Sequence, residues 1–101
     1  MNNKLKKKFR AIGHQLNPAL TVASKGLSKT VLTELNRALD DHELIKVKIV
    51  GNREERAKVI EQIDKIDATE VIQIVGGVAL VYRSSREPNP ALSNISRATL
   101  F

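Results

Sequence analysis

The stretch that decides the fold is residues 20–48, which read LTVASKGLSKTVLTELNRALDDHELIKVK. It begins with a short β-rich run at residues 20–23, turns at Ser24-Lys25-Gly26, continues through an amphipathic helical segment and ends in a strand-like alternation. Helices that alternate with strands along a chain are typical of an α/β domain, in which the helices pack on the sheet. This stretch therefore predicts a strand, a helix and a second strand of one sheet.

The helix of this stretch is predicted over residues 29–41. Ser28 is its predicted N-cap, because a serine hydroxyl accepts a backbone N–H that has no partner inside the helix. The predicted buried face consists of Val31, Leu32, Leu35, Ala38 and Leu39. In the strand predicted over residues 43–50, Lys46 and Lys48 alternate with isoleucine and valine, which indicates one wetter face.

Further elements are predicted on both sides of this stretch. Residues 3–15 predict a helix, because their apolar side chains recur at helical spacing. Asn17-Pro18 is expected to end it, since the residue before a proline avoids helical geometry. On the carboxyl-terminal side, Asn52 and Glu55 form a capping-box pattern that predicts the start of a third helix.

The carboxyl-terminal third predicts a hairpin followed by a tail. Gly76-Gly77 separates two β-rich runs, residues 71–75 and 78–82, and glycine tolerates the positive φ of hairpin turns. Both runs are apolar on both faces, so we expect both strands to be central in the sheet or covered twice. Residues 84–101 contain two prolines and several serines and asparagines and read as a tail, with Leu100 and Phe101 as candidate docking residues.

Together these elements predict the order α-β-α-β-α-β-β in a single compact α/β domain, with a four-stranded mixed sheet and packed helices. The predicted domain covers residues 1–84, and residues 85–101 form the predicted C-terminal tail. A chain of 101 residues that is 42% hydrophobic can bury a core of that size.

The positive charge of the chain is concentrated in its first third. Residues 1–33 carry seven basic side chains and no acidic one, whereas residues 34–101 carry ten basic and eleven acidic side chains. The formal net charge of +6 is therefore a localised field, and such a field favours a polyanionic partner.

Several classes of function find no support in the sequence. Cysteine is absent and there are two histidines, which argues against disulfides and against a metal site. No Walker loop, dinucleotide fingerprint or Ser/His/Asp arrangement occurs. No apolar run approaches the roughly 18 residues of a membrane span. We therefore expect a cytoplasmic, non-catalytic protein with no cofactor, metal, membrane or small-molecule partner; an organelle transit peptide is an alternative interpretation of the basic N-terminal segment.

Residues 20–48 and residues 75–83, which read VGGVALVYR, resemble the CRM domain, the YhbY-like RNA-binding family. The likeness covers residues 4–84 and rests on the motif order, the helix after the turn, the K-V-K entry to a strand and the closing hairpin. The resemblance implies an RNA-binding domain whose sheet and helices are like those of the C-terminal domain of translation initiation factor three. This short chain resembles the stand-alone bacterial members, which are associated with precursors of the large ribosomal subunit.

The resemblance also indicates where RNA is bound. The family usually has a G-x-x-G turn between the first strand and the second helix, where glycines let backbone N–H groups approach a phosphate. Here the turn reads Ala23-Ser24-Lys25-Gly26, so the second glycine is retained and the first is alanine, which restricts φ. Together with the basic first helix, the predicted RNA-binding residues are Lys4, Lys6, Lys7, Lys8, Arg10, Ala23, Ser24, Lys25, Gly26 and Lys29.

Other basic residues have two readings. Lys46 and Lys48 are interpreted as solvated strand positions, and Arg83 is expected either to form an ion pair with a carboxylate or to contact RNA.

The function predicted for the chain is non-catalytic binding of ribosomal RNA in large-subunit precursors, which assists assembly. The alternative is a ribosome-associated protein–protein interaction module without direct RNA contact; binding to duplex DNA is disfavoured, because no helix has a recognition face rich in Arg, Asn and Gln.

Overall fold

This computed structural model describes residues 1–23 and 25–98, which form four strands and four helices. The strands are β1 (Pro18–Val22), β2 (Leu44–Ile49), β3 (Glu70–Val75) and β4 (Val78–Tyr82). The helices are α1 (Asn3–Gly13), α2 (Lys29–His42), α3 (Arg53–Asp64) and α4 (Asn94–Ala98). The predicted element order is confirmed, and α4 is added inside the segment that was interpreted as a tail.

The four strands form one mixed sheet in the order β1-β2-β4-β3. β1 and β2 are parallel, and β4 is antiparallel to both of its neighbours. β4 is central, as its apolar faces predicted, whereas β3 lies at an edge and is contacted by α3 on one face of the sheet and by α1 on the other. The hairpin at Gly76-Gly77 places β3 beside β4, whose other side is occupied by β2, so no strand of residues 1–23 or 25–98 lies on the outer side of β3.

The sheet has an apolar core on each face. On one face, α2 and α3 cover a cluster that includes Leu35, Ile45, Val47, Ile63 and Val81. On the other face, Phe9 of α1 packs with Leu44 and Leu80, and its ring centroid lies 4.7 Å from that of Tyr82. Within β2, Ile45, Val47 and Ile49 therefore face one core, while Leu44, Lys46 and Lys48 face the α1 side, which confirms the predicted alternation.

Side-chain caps fix where the helices begin. Ser28 Oγ accepts a hydrogen bond from Val31 N at 3.2 Å, and Asn52 and Glu55 form the reciprocal capping box. Both caps confirm the sequence prediction. Asn2 caps α1 in the same way, with Leu5 N donating to its Oδ1 at 2.8 Å. These bonds satisfy N–H groups that the first turn of a helix leaves without partners.

Arg83 closes the end of β4 against α2. Its Nη2 lies 3.0 Å from Asp40 Oδ1, and its Nη1 donates to Asn36 Oδ1 at 2.9 Å. The arginine side chain is 14% exposed, and the structure shows the contact with a carboxylate that was one of the two predictions for Arg83.

Leu100 and Phe101, the candidate docking residues of the tail, lie outside the described residues. Among the helices of residues 1–23 and 25–98, none has both the length and the apolar character that crossing a membrane requires.

Candidate nucleic-acid interface

Three connections meet at one end of the sheet, which we call the turn end: residues 25–28 with residue 23, residues 50–52 and the hairpin at residues 76–77. Because β1 and β2 are parallel, their carboxyl ends share this edge. Val50 N donates to Val22 O at 2.9 Å, and Ile49 N donates to Gly77 O at 2.7 Å. These backbone bonds hold the three connections side by side.

The turn between β1 and α2 is shaped by its glycine. Gly26 has a φ of 88°, and its N–H donates to Ala23 O at 2.9 Å. A positive φ is unfavourable for residues with a Cβ, so glycine is required here. Ala23 is not among the non-glycine residues with positive φ in the described chain, which are Glu43 and Ala68. Alanine therefore occupies the first position of the turn without backbone strain. Ser24 lies outside the described residues.

The amino-terminal end of α2 adds a favourable environment for an anion. A helix N-terminus carries a partial positive charge and directs N–H groups outward. Lys25 and Lys29 flank this end, and both are exposed. Neither has an acidic partner within 4.0 Å among the described residues. The turn therefore combines a helix N-terminus with two ammonium groups that have no acidic partner among the described residues.

The turn rests on α3, which contributes two arginines to the same end. A Cβ on Gly26 would lie 3.6 Å from Gln62 Oε1 and 3.9 Å from Val59 Cγ2. Arg53 is exposed in the first turn of α3. Arg56 Nη1 donates to Gly51 O at 2.8 Å. A Cβ on Gly77 would lie 3.7 Å from Arg56 Cδ, so this side chain reaches across to the hairpin.

Sequence reasoning missed Arg53 and Arg56, although a signal for them was present. Once β1 and β2 are recognised as parallel neighbours, the residues that follow each strand must lie at the same edge. The segment after Ile49 therefore belongs beside the segment after Val22. Arg53 and Arg56 open the helix that follows, as Lys29 opens α2.

The lysines of α1 lie elsewhere. Lys6 Nζ is 3.4 Å from Glu70 Oε1, and Glu70 is the first residue of β3, at the end opposite the hairpin. Six residues of β3, at roughly 3.3 Å each, separate that end from the turn end. Lys4, Lys7 and Lys8 are exposed, and Arg10 is half-buried. The structure therefore places the predicted site residues in two basic patches, with Lys25, Gly26 and Lys29 at the turn end and the α1 lysines toward the other end.

The basic side chains at the start of α1 are unfavourably placed with respect to the dipole of this helix. Basic side chains near a helix N-terminus interact unfavourably with its dipole. Lys4 and Lys6 lie near this terminus, and the first turn has no acidic residue. The helix dipole therefore does not favour these lysines at their positions.

The described residues show no arrangement for metal chemistry. Within residues 1–23 and 25–98, no three His, Cys, Asp or Glu side chains are grouped so that they could hold a metal ion. One of the two histidines, His42, is engaged in the fold, since its Nδ1 lies 2.9 Å from Leu92 O.

Comparisons with known proteins show the family of this chain. Residues 1–83 match the CRS1/YhbY (CRM) domain. The chain is 48% identical over 93 residues to a protein of Pseudomonas aeruginosa named probable RNA-binding protein, with 91% of this chain and 89% of the relative covered. It is 35% identical over 88 residues to a protein of Haemophilus influenzae named RNA-binding protein, with 86% and 89% covered.

The fold is also found in a solved structure. The solution structure of a hypothetical protein from Staphylococcus aureus superimposes with a TM-score of 0.74 at 24% sequence identity, and the match covers 86% of this chain and 92% of that one. The relatives described above are named as RNA-binding proteins and not as enzymes. Since the family match covers most of the sequence, the chain belongs to the CRS1/YhbY (CRM) domain family.

Proposed function

We propose that this protein binds RNA without catalysing a reaction, and that the turn end of the sheet holds the RNA backbone. The observation that carries this proposal is the turn itself. Gly26 at a φ of 88° bends the chain at the N-terminus of α2, with Lys25 and Lys29 exposed beside it. A phosphate is the ligand that suits a helix N-terminus with nearby ammonium groups. The names of the relatives support RNA as the polyanion.

The RNA of this proposal is ribosomal RNA in precursors of the large subunit, bound in the cytoplasm during assembly. The family resemblance supports this target. The spacing of the two basic patches also supports a folded RNA, because patches at opposite ends of the sheet can contact phosphates on different strands at once. Such binding reads shape and backbone, which is the common mode for structured RNA. The protein would stabilise an RNA fold during assembly.

The test is to follow an epitope-tagged chain on sucrose gradients of lysate from the cells that naturally express it. Ultraviolet crosslinking and sequencing of the attached RNA then identify the target. We expect the protein in fractions with large-subunit precursors and crosslinks in the ribosomal RNA of that subunit. Crosslinks distributed over messenger or transfer RNA would contradict ribosomal RNA as the target, but they would still support the proposal that the protein binds RNA.

A protein–protein interaction module is the second candidate, and one observation favours it. Ile74 and Val75 on the edge strand β3 are 50% and 65% exposed. An edge strand with apolar side chains can pair with a strand of another protein. The gradient experiment separates the two candidates. If the protein stays with precursor particles but forms no crosslink to RNA, the interaction module is supported and direct RNA contact is rejected.

A further inference from the structure

A cavity of about 260 Å³ lies on the face of the sheet that α1 only partly covers. α1 ends at Gly13, where a Cβ would lie 2.9 Å from the side chain of Leu80, so the helix lies directly on β4 at this point. Beyond Gly13 the sheet face opens toward the hairpin. Residues that line the cavity include His14, Pro18, Lys46, Gln73, Val78 and Leu80.

Two polar side chains flank the apolar floor of this cavity. The register pairs Lys46 with Leu80 across β2 and β4, and it pairs Gln73 with Leu80 across β3 and β4. Directly opposite residues in a sheet are roughly 4.5–5.5 Å apart, so Lys46 and Gln73 stand about 10 Å apart on either side of Leu80. Both are half-buried. Neither side chain forms a hydrogen bond or an ion pair with another described residue, and no residue lining the cavity is acidic.

We propose that this cavity binds one unpaired nucleobase of the RNA, an inference that rests on the proposed function. Leu80 and Val78 offer an apolar floor for a planar ring, and the imidazole of His14 can stack on it. The ammonium of Lys46 only donates hydrogen bonds, while the amide of Gln73 both donates and accepts. A base edge with a carbonyl oxygen satisfies this set. Uracil and guanine have such an oxygen, and adenine has none.

The size and position of the cavity agree with this occupant. Pockets for small molecules are roughly 300–1,000 Å³, so a space of about 260 Å³ suits one base and not a longer segment. The cavity also reaches the turn end of the sheet, because Val78, which lines it, directly follows the hairpin at residues 76–77. Lys48 lies on the same face as Lys46 and pairs with Thr21 and Val78, which border the turn end. An RNA backbone held at the turn end can therefore place an unstacked base in the cavity.

The test compares two fluorescein-labelled decamers, oligouridylate and oligoadenylate, by fluorescence anisotropy at low salt. The variants are Lys46→Met and Gln73→Met, which keep the length of each side chain and remove its polar end. Lys65→Met is the charge-matched control, because Lys65 is exposed at the C-terminal end of α3. The two decamers differ in their own stacking, but this difference is the same for every variant, so the change in the affinity ratio isolates the cavity.

We expect the wild-type protein and Lys65→Met to bind oligouridylate about fivefold or more tightly than oligoadenylate, since a good bidentate base contact discriminates by at least that factor. Each cavity variant should lower this ratio several-fold while oligoadenylate binding persists. A wild-type ratio equal to that of both cavity variants would reject the base pocket and leave RNA binding intact. If the protein binds neither decamer and no structured RNA either, the proposed function itself is rejected.

Discussion

The carboxylate of Glu43 accepts a hydrogen bond from the hydroxyl of Ser93, with 2.7 Å between Oε1 and Oγ, although 50 residues separate them in the chain. Both side chains are buried, with exposed fractions of 5% and 0%. The second carboxylate oxygen of Glu43 accepts from Ser85 N at 2.9 Å. Asn94 Nδ2 donates to Leu44 O at 2.6 Å. The segment after β4 is therefore attached to the junction of α2 and β2, which holds α4 near α1.

We expect Ser93→Ala to destabilise the protein, because it leaves a buried carboxylate oxygen without its partner. An unsatisfied buried acceptor costs about 1–3 kcal/mol. In a domain of this size that lowers Tm by several degrees, which thermal unfolding followed by circular dichroism measures. Ser84→Ala is the control, since Ser84 is exposed. Equal melting curves for the two variants would show that the hydrogen bond between Ser93 and Glu43 contributes nothing to stability.

Lys25→Glu should weaken RNA binding without unfolding the domain, because Lys25 is exposed and has no acidic partner among the described residues. The substitution replaces attraction to a phosphate with repulsion. Lys65→Glu makes the same charge change at the far end of α3. Binding is measured by anisotropy and folding by thermal melts. A folded Lys25→Glu protein that binds as tightly as Lys65→Glu would remove the turn from the interface.

Ala23→Gly should leave RNA affinity equal or slightly higher. Gly26 supplies the positive φ of the turn, and Ala23 is not among the residues with positive φ. Glycine at position 23 would add freedom for the backbone to approach a phosphate, at a small entropic cost to the fold. Titration with the same RNA checks this expectation. A clear loss of affinity would show that the alanine Cβ itself takes part in binding.

Replacement of Lys4, Lys6, Lys7 and Lys8 by Gln should separate binding from folding in α1. Gln is nearly as good a helix former as lysine, and the Lys6–Glu70 ion pair is partly exposed and contributes little. We expect a stable protein that binds RNA weakly and leaves the precursor fractions of a gradient. Phe9→Ala should do the reverse: Phe9 is 3% exposed, and its loss should cost about 3–5 kcal/mol. Unchanged sedimentation of the Gln variant would mean that α1 is only a solubilising surface.

The two arginines of α3 should differ in their effects. Arg53 is exposed, so Arg53→Gln should lower RNA affinity and leave Tm unchanged. Arg56 also donates to Gly51 O, so Arg56→Gln should lower affinity and reduce stability by about 1 kcal/mol. Anisotropy and thermal melts on the same samples give both readouts. If neither variant binds RNA more weakly than wild type, the interface does not extend onto α3.

RNA affinity should fall steeply with salt. Each phosphate that a lysine or arginine neutralises releases counterions, so the logarithm of affinity falls linearly with the logarithm of salt concentration. Affinity measured between about 50 and 200 mM salt gives the slope. We expect a shallower slope for Lys25→Glu than for wild type. A wild-type slope near zero would contradict phosphate-driven binding.

The sequence by itself determined the four strands, the first three helices and the caps at which α2 and α3 begin. Local patterns carry that information: the alternation in β2, the cap at Ser28, the capping box at Asn52 and the glycines of the hairpin all act within a few residues. The composition of residues 1–33 likewise predicted a negatively charged partner, because this segment has no acidic side chain that could neutralise its basic ones.

Only the tertiary structure decided which distant residues meet. The strand order placed β3 at an edge although it has apolar side chains on both faces, as β4 does, because strand order depends on pairing across the sheet. Parallel pairing of β1 and β2 brought Arg53 and Arg56 to the same end as Lys25, and the path of α1 took its lysines toward the other end. The register across β2, β4 and β3 set Lys46 and Gln73 around Leu80, and the fold buried Glu43 with Ser93. These relationships join residues far apart in the chain, so no local pattern could reveal them.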